Sequence, residues 1–472
     1  MGHSPKAAAP ESLRAIPSVD RVLRELGLGA VDLPRSAVVA LVRRELAVCR
    51  TRNEAITTEQ VMGRIRAAID DLRLARIQPV INGTGVIIHT NLGRSPLGPM
   101  AVDTLTNIAS NYNNLEFDLR TGDRGGRATY LEHNLAVLCE AEAATVVNNC
   151  AAALVLILRH FTAGERKQVL ISRGELVQIG GGFRIPEILE ASGAILNEVG
   201  ATNKTTIDDY ARAVSSGTAM ILKVHQSNFY MVGFVDCPSV EELAQLAQAK
   251  GLPLVEDLGS GATFATERTA GVDHEPTPTE VLRRGADLVC FSGDKLFGGP
   301  QAGIIAGRST HVAALKREPF FRALRCDKLI LSALQTTVDL HLTAADGNPG
   351  AGQEIPIIAM LQEPIDKLQA RADQIASRLD DLPAQFTVGS AESTVGGGTL
   401  PKSAIPSVTV DILPHGISLE DFAARLRAGK PPVVGTISNG RFRIDLRTVF
   451  PRQDGDLRAA LRAAFSPSAS SG

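Results

Sequence analysis

Leu254-Val255-Glu256-Asp257 and Val289-Cys290-Phe291-Ser292-Gly293-Asp294-Lys295 decide how this 472-residue chain is read. Each is a buried-strand run that ends in charge. Comparable runs at 168–171, 194–198, 219–224, 253–256 and 287–291 alternate with helical stretches. They are continuous rather than alternating in hydrophobicity, as expected of a parallel sheet covered on both faces by helices. The fold class is therefore α/β, with function expected in the loops at the carboxyl ends of the strands. Those two segments place a carboxylate, Asp257, at one strand end and an amine, Lys295, 38 residues later past the next. That pairing suits pyridoxal phosphate: the amine forms a Schiff base with the cofactor aldehyde, and the carboxylate keeps the pyridinium nitrogen protonated. An ordinary strand-end ion pair is the alternative. The glycines of Gly298-Gly299-Pro300-Gln301-Ala302-Gly303 favour the cofactor, because they let backbone approach a ligand closely.

Working outward, a phosphate cradle is expected upstream. Thr145-Val146-Val147-Asn148-Asn149-Cys150-Ala151-Ala152 reads as strand, polar turn and small-residue helix start, with free N–H groups at the positive end of the helix dipole. Judged alone, the segment serves equally as a plain strand-to-helix turn. Gly83-Thr84-Gly85 is no dinucleotide fingerprint, since Ile88 stands where the next glycine belongs. Gly180-Gly181-Gly182 and Gly396-Gly397-Gly398 read as loop hinges.

Residues 1–78 differ in texture. Residues 1–80 hold thirteen basic residues, twelve of them Arg, against nine acidic ones. Val19, Val22, Leu23 and Leu26 repeat with helical spacing before Leu28-Gly29. Further helices are expected over 35–48, behind Asp32-Leu33-Pro34, and over 58–75, behind Thr57-Thr58. This is read as an Arg-rich helical domain, with an RNA-binding and a packing role both open. A large α/β domain is expected over 79–342. A smaller α+β domain is expected over 343–472, with a helix over 360–379, strands near 405–412 and 441–445, and a disordered tail from Ser466.

Composition excludes several classes. Lys plus Arg number 49 against 51 acidic residues, so the chain is not a polybasic coat for nucleic acid or acidic lipid. Its longest apolar run, 151–158, is far shorter than the roughly 18 residues that cross a bilayer, and no signal peptide is read in the first ten residues. Six scattered cysteines without a C-x-x-C pair read as buried thiols in a reducing cytoplasm rather than as disulfides or a metal site.

The segments INGTGVIIHTNLGRSPLG (81–98), SRGELVQIGGGFRIP (172–186), EVGATNKT (198–205), FSGDKLFGGPQAGII (291–305) and RALRCDKL (322–329) together closely resemble the bacterial L-seryl-tRNA(Sec) selenium transferases, or selenocysteine synthases. The likeness runs from RAIPSVD (14–20) to DLRTV near the end. It implies a fold-type-I, aspartate-aminotransferase-like pyridoxal phosphate transferase that is cytoplasmic and forms a homodecamer of dimers, with no DNA or membrane partner. Its substrates would be seryl-tRNA(Sec) and selenophosphate, joined through a dehydroalanyl-tRNA intermediate, with the N-terminal helices gripping the tRNA. By the resemblance Lys295 and Asp294 are catalytic, and Lys295, Asp257, Asn149, Cys150, Ala151, Ser292 and His225 bind the cofactor. Cys150 departs from the asparagine that the family carries in that turn. Arg94, Arg322 and Arg325 would form the anion pocket, bidentate guanidiniums being suited to an oxyanion, with 322 and 325 on one helical face. Surface ion pairing is the alternative for these arginines, and a structural role for His89 and His225. The rival activity is that of a related lyase acting on a small amino acid or amino-sugar acid phosphate, which would need no RNA-binding domain.

Overall fold

The computed structural model describes residues 16–26, 33–51, 56–178, 180–182 and 184–466. The break at Leu28-Gly29, Asp32, the first ten residues and the tail beyond Ser466 lie outside them. The chain divides into two compact units, 1–80 and 81–472. The first holds helices Val19–Glu25, Arg35–Thr51 and Thr58–Leu74, close to the expected bounds. Ser18 caps the first, and Thr57 with Gln60 forms a capping box on the third. Their shared core is Val22, Val38, Val42, Leu46, Val61, Ile65 and neighbours, which leaves most of the arginines on the outside.

The second unit is built on a seven-stranded sheet. Its strands are β3 (Ala143–Val147), β4 (Gln168–Ser172), β5 (Ile195–Val199), β6 (Thr218–Val224), β7 (Leu254–Gly259), β8 (Leu288–Ser292) and β9 (Gly303–Gly307), in spatial order 3-9-8-7-6-4-5. Pairing is parallel except at β9, which runs antiparallel to both β3 and β8. The expectation of a purely parallel sheet is corrected there: the connection from β8 to β9 is a ten-residue loop, too short for a parallel crossover. One face packs Leu170, Ile221, Leu254, Val289 and Ile304 under helices that include Val240–Lys250 and Lys328–Ala345. The other packs Val169, Leu222, Val255, Cys290 and Ile305 under Cys150–Phe161 and Ile185–Ser192. Burial on both faces is why these strands read as unbroken apolar runs.

A second sheet joins β2 (Val86–Ile88), β10 (Ala384–Gly396), β11 (Ile405–Pro414), β13 (Thr436–Ser438) and β14 (Arg441–Asp445) in the order 13-14-11-10-2. β1 (Ile81–Asn82) pairs separately with β12 (Val433–Val434). Residues 81–88, given by sequence to the large domain, thus pair with C-terminal strands. The single helix expected over 360–379 is two, Pro356–Gln362 and Ile365–Ser377, because Pro364 lacks the N–H that would continue the first and caps the second. β10 was not foreseen; its run of small and polar residues carries little apolar pattern. The cysteines are all free, but Cys237 is exposed and Cys150 half-buried, contrary to the reading that all six are buried.

Candidate active site

Asp257 is aimed by a local irregularity. Between β7 and β8 the register slips, so that Asp257 pairs with Cys290 and Gly259 with the next residue, Phe291. Such a bulge re-aims a side chain, and Gly259 supplies the positive φ of 64° that the bend requires. The Asp257 carboxylate is 8% exposed. Its Oδ1 accepts from the Gly259 N–H at 3.0 Å and from the Cys150 thiol at 3.4 Å. Burial pushes its pKa up, against the opposing pull of Cys150 and Lys295. A cation beside it would restore its charged form.

Lys295, 7% exposed, sits in the loop from β8 to β9. The loop is closed on itself by Gly293 N–H to Ala302 C=O (2.9 Å) and Gly299 N–H to Gly293 C=O (2.8 Å), and tied to the β7 end by Leu296 N–H to Ser260 C=O (3.0 Å). A Cβ on Gly259 would stand 3.7 Å from Lys295 Nζ and 4.0 Å from Asp257 Oδ1. The two groups therefore flank one glycine-sized gap.

They face a cavity of about 550 Å³. Asn149, Cys150, Ala151, His225, Ser292, Asp294 and Arg94 line it as well. Asn149 caps the helix Cys150–Phe161, its side chain accepting from Ala152 N–H at 2.8 Å. Cys150 and Ala151, in that first turn, both line the cavity, and N–H groups at a helix start have no intrahelical partner. The approach is tight: a Cβ at Gly303 would lie 2.1 Å from the Asn149 carbonyl oxygen. Amine, buried carboxylate and helix start fit pyridoxal phosphate, whose aldehyde, ring nitrogen and phosphate need these three partners.

Arg94 is held unusually. Its backbone is left-handed at φ 64°, and its guanidinium donates to Asp294 Oδ2 at 2.7 Å. Asp294 Oδ1 is buried without a hydrogen-bond partner. Strained backbone of this kind is retained where the surroundings over-determine it. Arg322 and Arg325 are not brought to this cavity. The helix Pro319–Ala323 ends before Arg325, so the two do not share a helical face as expected; Arg322 is exposed, and Arg325 lies 3.9 Å from Glu116. His89 is not part of the lining either.

A profile described as L-seryl-tRNA selenium transferase matches residues 80–450, and one described as selenocysteine synthase N terminal matches 13–50. The chain belongs to the L-seryl-tRNA(Sec) selenium transferase family. Proteins of that name are 42% identical in Carboxydothermus hydrogenoformans, over 94% of this chain and 96% of that protein. In Geotalea daltonii the identity is 43%, over 95% of this chain and 98% of the relative. Among solved structures, a D-glucosaminate-6-phosphate ammonia-lyase superposes with a TM-score of 0.57 at 22% identity, covering 82% of this chain and 96% of that one. That likeness speaks for the fold, which is the fold-type-I pyridoxal phosphate transferase architecture expected from the sequence.

Sequence reasoning missed part of this family member's site. Gly397 and Gly398, read as hinges, line the cavity from the end of β10, and Cys290 lies with Cys150 and Asp257 in one cluster whose ligand-type atoms are within 4.8 Å of one another. It also missed a buried charge network behind His225. Glu175 accepts from Lys223 Nζ at 3.1 Å and from the Val224 N–H at 3.1 Å. His225 Nε2 lies 3.2 Å from Glu275 Oε1. Burial lowers the His225 pKa, but the facing Glu275 carboxylate, with Glu256 behind it, outweighs this and raises it.

Glu256 is pushed up to about 7 by burial, against Lys223 and His225. Native protein therefore holds this proton when the unfolded chain has released it, and stability falls as pH rises from the ordinary carboxylate range through about 7. Glu256→Gln removes that loss. Its melting temperature relative to the parent is expected to rise between pH 5 and pH 8, by a few degrees; parallel melts across pH check it.

Proposed function

We propose that the Lys295 cavity is the site at which this chain makes selenocysteinyl-tRNA(Sec) from seryl-tRNA(Sec), with selenophosphate as the selenium donor. The activity is that of the family, L-seryl-tRNA(Sec) selenium transferase, dependent on pyridoxal phosphate. The observation that carries this reading is relatives of that name matching nearly the whole chain at 42–43% identity. When bound, pyridoxal phosphate supplies an aldehyde for an amine and a ring that withdraws electrons from the substrate α-carbon. Lys295 Nζ would hold the aldehyde and then move the α-proton. Asp257 would pair with the ring nitrogen, and the Cys150 and Ala151 N–H groups would hold the phosphate. Ser292 and His225, which also line the cavity, would wall the ring. Asp294 acts by holding Arg94, whose fork remains partly exposed to the cavity and suits an oxyanion such as selenophosphate.

Arg322 and Arg325 do not line the cavity of their own chain. In the homodecamer expected of the family they would serve a neighbouring copy. The exposed arginines of the N-terminal helices supply contacts to the RNA backbone, which separates a serine carried on RNA from free serine. No helix among the described residues is long and apolar enough to cross a membrane, in keeping with a cytoplasmic enzyme.

The test is selenocysteinyl-tRNA formation from seryl-tRNA(Sec) and selenophosphate by the purified holoenzyme. Turnover of a free amino acid with no gel shift of seryl-tRNA(Sec) would overturn the reading in favour of a lyase. Arg94→Ala is expected to lower selenium transfer by at least about 10²-fold while cofactor absorbance is retained. Unchanged transfer would remove Arg94 from the anion site.

A further inference from the structure

On the Asp257 side of the cavity stands a group of side chains that the assignments above use only in part. Cys150, Asp257 and Cys290 bring one ligand-type atom each, two sulfurs and a carboxylate oxygen, all within 4.8 Å of one another. Three elements supply them: Cys150 opens the helix Cys150–Phe161, Asp257 sits at the bulge of β7, and Cys290 lies opposite it on β8. Cys150 Sγ stands 3.4 Å from Asp257 Oδ1. In a tetrahedral zinc site, with Zn–S about 2.3 Å and Zn–O about 2.0 Å, that sulfur–oxygen edge is about 3.5 Å. Two sulfurs with one carboxylate suit zinc, whereas magnesium and calcium take oxygen donors.

The group is built inside the chain and needs no outer surface. Cys290 is 0% exposed, while Cys150 and Asp257 line the cavity. Three ligands thus come from the protein and a fourth position opens on the cavity, the arrangement of an accessible zinc centre rather than a closed one. Cys150 donates to Asp257, so its sulfur is a thiol without metal. A thiol is a poor nucleophile, which disfavours a Cys150–Cys290 disulfide; a bound cation instead removes the proton and takes the thiolate. Two thiolates and a carboxylate bring three negative charges, which a divalent cation and the ammonium of Lys295, across the Gly259 gap, match. From this juxtaposition we propose that Cys150, Asp257 and Cys290 form a zinc site in the cofactor-free protein, and that zinc and pyridoxal phosphate exclude one another there. Asp257 cannot ligate a metal and pair with a ring nitrogen at once. Metal binding sends the two thiol protons to solvent.

The exclusion rests on the cofactor reading above, the metal site does not, and the test separates them. Full-length protein stripped of cofactor with hydroxylamine, and kept reduced with a phosphine, is titrated with cobalt(II). Cobalt stands in for zinc: its thiolate complexes absorb in the near ultraviolet and its tetrahedral complexes absorb strongly in the visible. One equivalent is expected to bind with both signals and to be displaced by zinc. Cys290→Ala should weaken cobalt binding by at least about 10²-fold, since even the outer partners of a metal are worth 10–100-fold. Because Cys290 lies in the core, Cys150→Asn is the second variant; it installs the residue expected of the family in that turn and should weaken binding to a similar extent. Cys237→Ser, at the exposed cysteine, should leave the signals unchanged. Holoenzyme freed of excess cofactor is expected to give neither signal. Stripped protein without a thiolate band, or a band that survives both Cys150→Asn and Cys290→Ala, would overturn the metal site. The same band in fully loaded holoenzyme would overturn the exclusion. Protein that gives the band but never takes up pyridoxal phosphate would reject the cofactor reading and leave the metal site standing.

Discussion

Lys295→Ala should abolish turnover, by at least about 10⁴-fold, and leave a protein that borohydride no longer links to its cofactor. The expectation follows from what else the cavity offers. Lys295 is the one lysine lining it among the described residues. The nearest alternative in kind, Lys223, is committed: its Nζ donates to Glu175 at 3.1 Å and to the Pro238 carbonyl at 3.4 Å. Among the described residues no other lysine lines the cavity to attack the aldehyde or to take the α-proton. Peptide mapping after borohydride reduction of the parent should find label on Lys295 alone. Label on Lys223 or any other lysine would overturn the assignment, whatever the activity of the variant.

Asp257→Asn should act in opposite directions on catalysis and stability. An amide cannot hold a ring nitrogen in its protonated form, so turnover and cofactor affinity are expected to fall, turnover by at least about 10²-fold. In cofactor-free protein the same change should stabilise. Burial raises the Asp257 pKa above its unfolded value. The native state then keeps a proton that the unfolded chain loses, and stability declines as pH rises through that window. The amide never ionises and escapes the decline. Cofactor-free Asp257→Asn is expected to melt above cofactor-free parent at neutral pH, with the gap closing at acid pH, and the order should reverse once cofactor is added. Thermal melts with and without pyridoxal phosphate measure all of this. A variant that is less stable in both states would show that Asp257 is a structural residue rather than the partner of a cation. Functional groups held at a cost to folding are the usual origin of such trade-offs.

The α/β class was legible because burial on both faces makes each central strand a continuous apolar run, and a run of that kind survives in the sequence without its neighbours. The helix at Cys150 was legible for a related reason: a polar turn followed by small residues is a local signal, and the helix starts there, with the Asn149 side chain capping it. The reversed direction of β9 was less visible, since strand polarity depends on the length and path of the connecting loop. The break at Pro364 was overlooked although proline marks it in the sequence.

The arginines show the limit most clearly. Arg322 and Arg325 invite pairing by their spacing, yet the helix ends at Ala323 and only Arg94, some 230 residues away, reaches the cavity. Likewise Cys150 and Cys290 lie 140 residues apart, and only β7 and β8 pairing beneath the Cys150 helix brings both to Asp257.

The sequence alone therefore determined most of the elements around the large sheet, which family the chain resembles and which amine and carboxylate are proposed for the chemistry, because caps, apolar periodicity and strand-end charge are local. Tertiary structure decided which distant side chains share a cavity and that Glu275 faces His225. Those depend on long-range register and loop closure, and no stretch of chain records them by itself.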